Sequence, residues 1–139
     1  MPNSASIRLG QRGGLSLEFG LVALPFLMLL LGGVELARYV YTAQAVDSYA
    51  EAMLRTTLVH VGGDTANRCL ADLASAVTQP KLPAGLAAER ISQRQAGCTR
   101  ESNGGIPRVS VAITYRFTFL VSLFGSAEQQ ISRTAQRSL

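Results

Sequence analysis

The chain is poor in the residues and motifs that usually carry catalysis or metal binding. Its 139 residues include two cysteines and one histidine, and the cysteines do not form a CxxC pair. No GxSxG, no HExxH and no glycine-rich phosphate-binding loop occurs. His60 lies at a predicted helix end, where it can interact with terminal carbonyls. The sequence therefore predicts a protein that is not an enzyme and that binds no metal and no cofactor.

Clustered positive charge is also missing. The net charge is +4, and the cationic residues that follow the N-terminal Arg8 and Arg12, almost all arginine, are scattered singly from Arg38 to Arg137. A nucleic-acid surface would group basic residues and interleave aromatic side chains for stacking. At this length the chain has room for one small domain and one membrane helix. We therefore expect neither a nucleic-acid partner nor a multidomain enzyme.

A long run without charge dominates the N-terminal third of the chain. Sixteen residues from Phe19 to Val34, FGLVALPFLMLLLGGV, are uncharged. At 1.5 Å per residue they cover about 24 Å, and apolar residues as far as Tyr41 bring the stretch near the roughly 30 Å hydrocarbon core. Arg8 and Arg12 precede the run, with no acidic residue before Glu18. The positive-inside rule thus predicts a cytoplasmic N-terminus and a periplasmic remainder after Tyr41.

The N-terminal border of this run carries the most informative residues. A short basic segment ends in Gly13-Gly14-Leu15-Ser16-Leu17-Glu18-Phe19. A carboxylate at the edge of a span has a free-energy cost, about 2.5–3.5 kcal/mol at the helix centre and less near the interface, so Glu18 needs a partner. Pro25 lies inside the run and removes a backbone hydrogen bond, which predicts a helix kink that membrane proteins tolerate.

These features resemble the TadE-like family of the tight-adherence (Flp-type) pilus machinery, whose members have a class IV prepilin-like leader. The resemblance rests on the GGLSLEF motif, the aromatic Phe19 directly after Glu18, the proline in the span and the Glu-Leu-Ala-Arg sequence (residues 35–38) that follows the uncharged run. It is strong up to about Tyr41 and weak beyond. It implies that a prepilin peptidase cuts between Gly13 and Gly14. Glu18 then becomes the fifth residue of the processed chain and neutralises the N-terminal amine of a neighbouring subunit.

The resemblance also implies a function and partners. The function is that of a minor pilin-like structural subunit, or pseudopilin, needed for pilus biogenesis or for a tip or initiation complex. The implied partners are the prepilin peptidase, other minor pilin-like subunits, the major pilin and the inner-membrane assembly platform. The implied location is the bacterial inner membrane, as a single-pass protein that is also incorporated into an extracellular adhesive pilus.

Three alternatives remain open at this point. A secretory signal peptidase would read Ala43-Gln44-Ala45 and release a chain that starts at Val46, although Glu35 and Arg38 precede that site. An unprocessed signal anchor would make the protein a periplasmic binding or accessory module of a secretion system. The third alternative concerns Glu18 alone: it is an interfacial carboxylate that faces water at the membrane border and has no role in assembly.

The predicted fold is α+β. A long N-terminal transmembrane helix continues into a periplasmic stalk and packs on a small antiparallel sheet of two or three strands, with one further short helix. The predicted segments are a cleaved leader (1–13), the transmembrane helix (14–41), its periplasmic continuation (42–62) and the small periplasmic domain (63–139). The apolar stripe of the stalk comprises Leu36, Val40, Ala43, Val46, Ala50, Met53, Leu54 and Leu58, and Gly62-Gly63 ends it.

Beyond the stalk, hydrophobic periodicity predicts the remaining elements. A second helix is expected over 65–78 and a short edge strand over 89–95. The clearest strand, 109–119, alternates apolar and polar residues, and a final strand over 129–137 returns antiparallel to it. Cys69 and Cys98 both fall in the predicted periplasmic part, where disulfides form. We expect them to pair, and the alternative is two free thiols.

Overall fold

The computed structural model describes residues 12–62, 69, 73–99, 107–120 and 127–138. Its elements are the helices α1 (Arg12–Gly62) and α2 (Leu73–Ala76), a 3-10 turn (Ala88–Arg90), and the strands β1 (Ile91–Thr99), β2 (Arg108–Thr118) and β3 (Glu128–Ser138). The predicted α+β class is confirmed. The chain forms two compact units, Met1–Leu36 and Ala37–Leu139, here called the N-terminal unit and the C-terminal unit.

The sheet of the C-terminal unit is antiparallel, with the order β1-β2-β3. Strand β2 is central, and its alternating residues form the buried face: Val109, Val111, Ile113, Tyr115 and Phe117. The registers extend this face to both neighbours, since Ala96 of β1 pairs with Val111 and Ile131 of β3 pairs with Tyr115. The alternation predicted for this strand is confirmed, because a period of two puts every second side chain on one face.

The part of α1 that belongs to the C-terminal unit, residues 37–62, packs an apolar stripe into the same core. Its buried residues recur at steps of three and four, as one face of an α-helix requires: Ala43, Val46, Ala50, Met53, Leu54 and Val61, together with Tyr49 and Thr57. Thr57 is buried because its hydroxyl donates to the Met53 carbonyl at 2.7 Å. Each fully buried aliphatic side chain contributes about 1.5–3 kcal/mol relative to exposure.

The predicted stripe is wrong at its start. Leu36 and Val40 are 63% and 44% exposed, and Tyr39 packs against the core in this turn instead. The prediction favoured the most apolar side chains. The geometry favours Tyr39, which lies four residues before Ala43 on the face that meets the sheet.

Two other boundaries differ from the prediction. Helix α2 covers Leu73–Ala76 within the predicted range 65–78, much of which lies outside the described residues. Strand β1 begins at Ile91 rather than at residue 89 and continues to Thr99, because residues 93–99 pair in unbroken register with β2. The preceding residues Ala88–Arg90 form the 3-10 turn. Strand β3 matches its prediction to within one residue at each end.

A tight turn in the loop before β1 contacts the helix of the C-terminal unit. Gly85 has a φ of 93°, a left-handed conformation that glycine adopts without steric cost. The Tyr41 hydroxyl donates to the Ala84 carbonyl at 3.4 Å. A Cβ atom on Gly85 would lie 3.0 Å from Cε1 of Tyr41. The turn and the tyrosine ring therefore fit together closely.

Candidate functional site at the start of the N-terminal helix

The predicted processing site lies in the first turn of α1. The helix begins at Arg12, so the peptide bond between Gly13 and Gly14 is part of this turn. The first four backbone N–H groups of a helix have no intrahelical acceptor. Glycine is also less favourable in a helix than alanine by about 0.8–1 kcal/mol per residue. Opening this turn to an extended conformation therefore costs little free energy.

The carboxylate of Glu18 lies one helical turn after Gly14. Residues spaced by four share a helix face, so Gly14 and Glu18 lie on the same side of α1. Glu18 is exposed, and the adjacent Phe19 is 76% exposed. The arrangement presents a carboxylate and an aromatic ring together at the start of the apolar run.

The apolar run that follows is exposed in the part of the chain that the structure describes. Large hydrophobic side chains from Leu17 to Val34 are 50–76% exposed, and the 18-residue window of the candidate span is 0% buried with a mean hydropathy of 2.1. A soluble monomer rarely exposes an apolar patch of more than a few hundred Å². The helix is long and apolar enough to cross a membrane, which suggests membrane anchoring.

Pro25 is accommodated inside the helix. Secondary structure is helical on both sides of it, and α1 continues to Gly62. The predicted kink at this residue stays a prediction.

Glu35, at the end of the apolar run, differs from every other carboxylate in the described residues because it is 8% exposed. The sequence interpretation treated it only as part of the Glu-Leu-Ala-Arg exit. Its burial had no sequence signal beyond its place between two apolar residues.

Cys69 and Cys98 form a disulfide, with 5.2 Å between their Cα atoms. Cys98 lies in β1 opposite Val109 of β2, so the bond attaches Cys69 to an edge strand of the sheet. The predicted pairing agrees with this bond. Both cysteines belong to the C-terminal unit, away from the predicted processing site in sequence.

The described part of the chain offers no group of three or more histidine, cysteine, aspartate or glutamate side chains that could hold a metal ion. His60 lies in the last turn of α1, as predicted. It borders an open groove with Arg55, Val59 and Val77. Among the described residues that line the groove, none is a carboxylate or a thiol.

Comparison with known proteins supports the resemblance over one segment. Residues 13–55 match the family model described as TadE-like protein, which is 43 of the 139 residues. The matched segment begins at Gly13, and it contains Glu18, Phe19 and the whole apolar run. Comparison with curated proteins gives no match, and comparison with solved structures gives none.

Proposed function

Because residues 13–55 match the TadE-like family, we propose that this protein is a minor pilin-like structural subunit of a tight-adherence pilus. A prepilin peptidase removes residues 1–13, and the processed helix assembles with other subunits through the membrane. The observation that carries the proposal is that the family match begins at Gly13, the residue before the proposed scissile bond, and includes Glu18 at the fifth position after it.

The local structure at the border supports processing. A peptidase needs its substrate in an extended form, and the Gly13–Gly14 bond lies in the first turn of α1, which contains two glycines and is therefore easily opened. After the cut, Gly14 carries a free amine and Glu18 follows one turn later. A carboxylate at the membrane border is stabilised by an opposite charge, and the amine of a neighbouring processed subunit supplies that charge.

The core of the C-terminal unit argues against a secretory cut after Ala45. Such a cut would place a charged amine on Val46, which is 0% exposed. Burying an unpaired charge is strongly unfavourable. It would also remove Tyr39 and Ala43, which pack against or belong to the core.

The N-terminal sequence of the mature protein, from cells that contain the peptidase, tests the proposal. We expect it to start at Gly14. An intact Met1 would favour the unprocessed signal anchor and the role of a periplasmic accessory module. A start at Val46 would favour the secretory signal. Either result would contradict the prepilin interpretation.

Replacing the assembly carboxylate gives an independent test. We expect Glu18→Ala to insert into the membrane and to be cleaved normally, but to fail in pilus assembly, because the neighbouring amine loses its counter-charge. Glu51→Ala is the matched control, since Glu51 is an exposed carboxylate on the same helix but outside the apolar run. Pilus yield in both variants is the measurement. Wild-type yield from Glu18→Ala would reduce Glu18 to an interfacial carboxylate.

A further inference from the structure

A free sheet edge lies along β3 in the C-terminal unit. The strand order puts β1 and β3 at the two edges of the sheet. The β1 edge has neighbours, since the disulfide joins Cys98 to Cys69 and Arg94 donates to the side chain of Gln79. Among the described elements, β3 pairs only with β2. An edge strand presents unpaired N–H and C=O groups, which can bond to a strand of another chain.

The register shows which backbone groups of β3 are free. The Phe119 N–H donates to the Ala127 carbonyl at 3.0 Å, and the β2–β3 register continues from this pair without interruption. Hydrogen-bonded pairs alternate with non-hydrogen-bonded pairs along an antiparallel ladder. The odd-numbered residues of β3 therefore bond to β2. The even-numbered ones, such as Thr134 and Gln136, direct their N–H and C=O groups to the free edge.

A groove runs between this edge and helix α1. Its lining comprises five residues of α1 and four of β3: Asp47, Glu51, Leu54, Arg55, Leu58 and residues 134–137. It has a volume of about 280 Å³ and is called the β3 groove below. Leu54 is buried in the core, and Leu58 and Ala135 pack against it, so the groove has an apolar floor. An adjoining cavity of about 300 Å³ shares Arg137 with the groove and adds Arg108.

The helix and β3 run in the same direction along the groove. The Tyr39 ring lies 5.5 Å from that of Phe117, near the end of β2, and β3 starts at that end of the sheet. From there the helix keeps residues buried in the core as far as Val61. Later residues of the helix therefore lie nearer to the end of β3.

Opposite charges occupy the two ends of the β3 groove. The carboxylates of Asp47 and Glu51 come first along this direction, and the guanidinium groups of Arg55, Arg137 and Arg108 come after them. All five side chains are exposed. Within the part of the chain that the structure describes, none of them forms an ion pair. The groove is thus complementary to a ligand with a cation at one end and an anion at the other.

We propose that the β3 groove binds an extended peptide segment of a partner protein, which pairs with β3 as a fourth strand. The segment carries an acidic, an apolar and a basic residue at alternate positions. Alternate residues of a strand face the same side, so three of them span about 13 Å. The helix rises by about the same 13 Å from the level midway between Asp47 and Glu51 to Leu58.

The direction of the bound segment follows from the sheet. Antiparallel pairing is the more stable arrangement and continues the pattern of β1, β2 and β3. It puts the acidic residue beside the arginines, the apolar residue on the floor and the basic residue beside the carboxylates. A segment with the opposite order of charges would bring like charges together, which gives selectivity. This inference goes beyond the proposed function, because it does not depend on cleavage after Gly13.

Binding of a synthetic peptide to the full-length protein in detergent tests the proposal. The probe is fluorescein-TETVTKT-amide, in which glutamate, valine and lysine alternate with threonine. Fluorescein-TKTVTET-amide has the same composition with the charges exchanged. We expect saturable fluorescence anisotropy with the first peptide and about fivefold weaker binding of the second. Equal binding of the two peptides, or a preference for the second, would overturn the proposal.

A charge reversal in the protein tests the acidic end of the groove. We expect Glu51→Lys to weaken binding of the first peptide about fivefold, because its lysine then meets a cation. Glu89→Lys is the matched control, since Glu89 is an exposed carboxylate in the 3-10 turn, outside the groove. Equal affinities of these two variants would contradict the proposed position of the basic residue.

A proline in β3 tests the pairing itself. Thr134→Pro removes an N–H that points to the free edge and no bond of the β2–β3 ladder, a change that edge strands tolerate. Thr134→Ala keeps this N–H. We expect the proline variant to bind the first peptide at least about tenfold more weakly and the alanine variant to bind it as the wild type does. Equal binding by both variants would show that the peptide does not pair with β3. If circular dichroism shows that Thr134→Pro is unfolded, the peptide pair and Glu51→Lys decide.

Light scattering separates the proposed occupant from a second copy of this chain. We expect a wild-type monomer that binds the first peptide. A wild-type dimer that becomes monomeric in Thr134→Pro and binds no peptide would assign the edge to a second copy. A monomer that binds neither peptide would show that the groove accepts no strand of this kind. Either of these two results would overturn the proposal.

Discussion

At the scale of single residues, the turn at Gly85 combines a backbone requirement with a steric one. Its positive φ disfavours any side chain, and the ring of Tyr41 occupies the space that a Cβ would enter. We expect Gly85→Ala to lower the free energy of unfolding by about 1–3 kcal/mol, the range of a residue held in a sparsely populated conformation. Urea unfolding of the detergent-solubilised protein, followed by circular dichroism, measures the loss.

A control variant and a double variant separate the backbone strain at Gly85 from the steric clash with Tyr41. Gly97→Ala also adds a methyl group in this unit, but its Cβ would lie 3.6 Å from the Ser110 hydroxyl oxygen, an ordinary contact. We expect it to change stability by less than Gly85→Ala. Adding Tyr41→Ala to Gly85→Ala removes the clash and leaves the backbone strain. Equal losses from the two single glycine variants would show that neither the conformation nor the ring constrains Gly85.

At the scale of elements, the disulfide joins the segment at Cys69 to β1. The bonded residues are 29 positions apart, and closing a loop of that length restricts the unfolded chain by about 3–4 kcal/mol on the entropy model. We expect Cys69→Ala/Cys98→Ala to lower the free energy of unfolding by this amount. Reduction of the wild-type protein with dithiothreitol should give the same loss, and reduction of the double variant should give none. A further loss on reducing the double variant would contradict the assignment.

The sequence predicted some elements better than others, for reasons visible in the core. Strand β2 was found to within a residue because both of its neighbours bury the same face, so its alternation is complete from Val109 to Phe117. Strand β1 lacked that signal. Of its residues only Ala96 is buried, and its limits depend on pairing with β2, which a single stretch of sequence does not contain. The sequence predicted Val40 in the buried stripe of the helix, whereas Tyr39 packs against the core. This difference has a similar origin, because the position of the sheet decides which face of the helix is buried.

The residues of the candidate site and the long-range contacts of the C-terminal unit differ in the same way. Gly13, Glu18 and the apolar run were readable because each is a local pattern with a fixed spacing. In the C-terminal unit, the contact of the Tyr39 ring with the rings of Phe117 and Phe119 was not readable, since it joins residues about 80 positions apart in the chain. Contacts at that separation follow from the fold and have no local signature.

At the scale of the whole molecule, the C-terminal unit contains a complete hydrophobic core. Every buried hydrophobic residue of the described chain lies between Ala43 and Ile131, inside the unit Ala37–Leu139. We expect a fragment of residues 37–139 to form the disulfide and to unfold cooperatively in urea, with a slope of about 1–3 kcal/mol per molar urea. The full-length protein in detergent should show the same midpoint. A broad, non-cooperative transition of the fragment would mean that the core depends on the apolar run.

The order of the elements along the chain also governs the timing of folding. During synthesis α1 leaves the ribosome first, while the strands that cover its residues 43–61 are made last. Until β2 appears, Val46, Ala50 and Met53 have no sheet to pack against, and long-range contacts of this kind form slowly. For that interval the nascent chain carries two adjacent apolar surfaces, one that stays apolar in the finished protein and one that the sheet will cover. A chaperone that binds the second surface would have to hold it until Ile131 has been synthesised. It would then have to dissociate before Ile131 packs into the core.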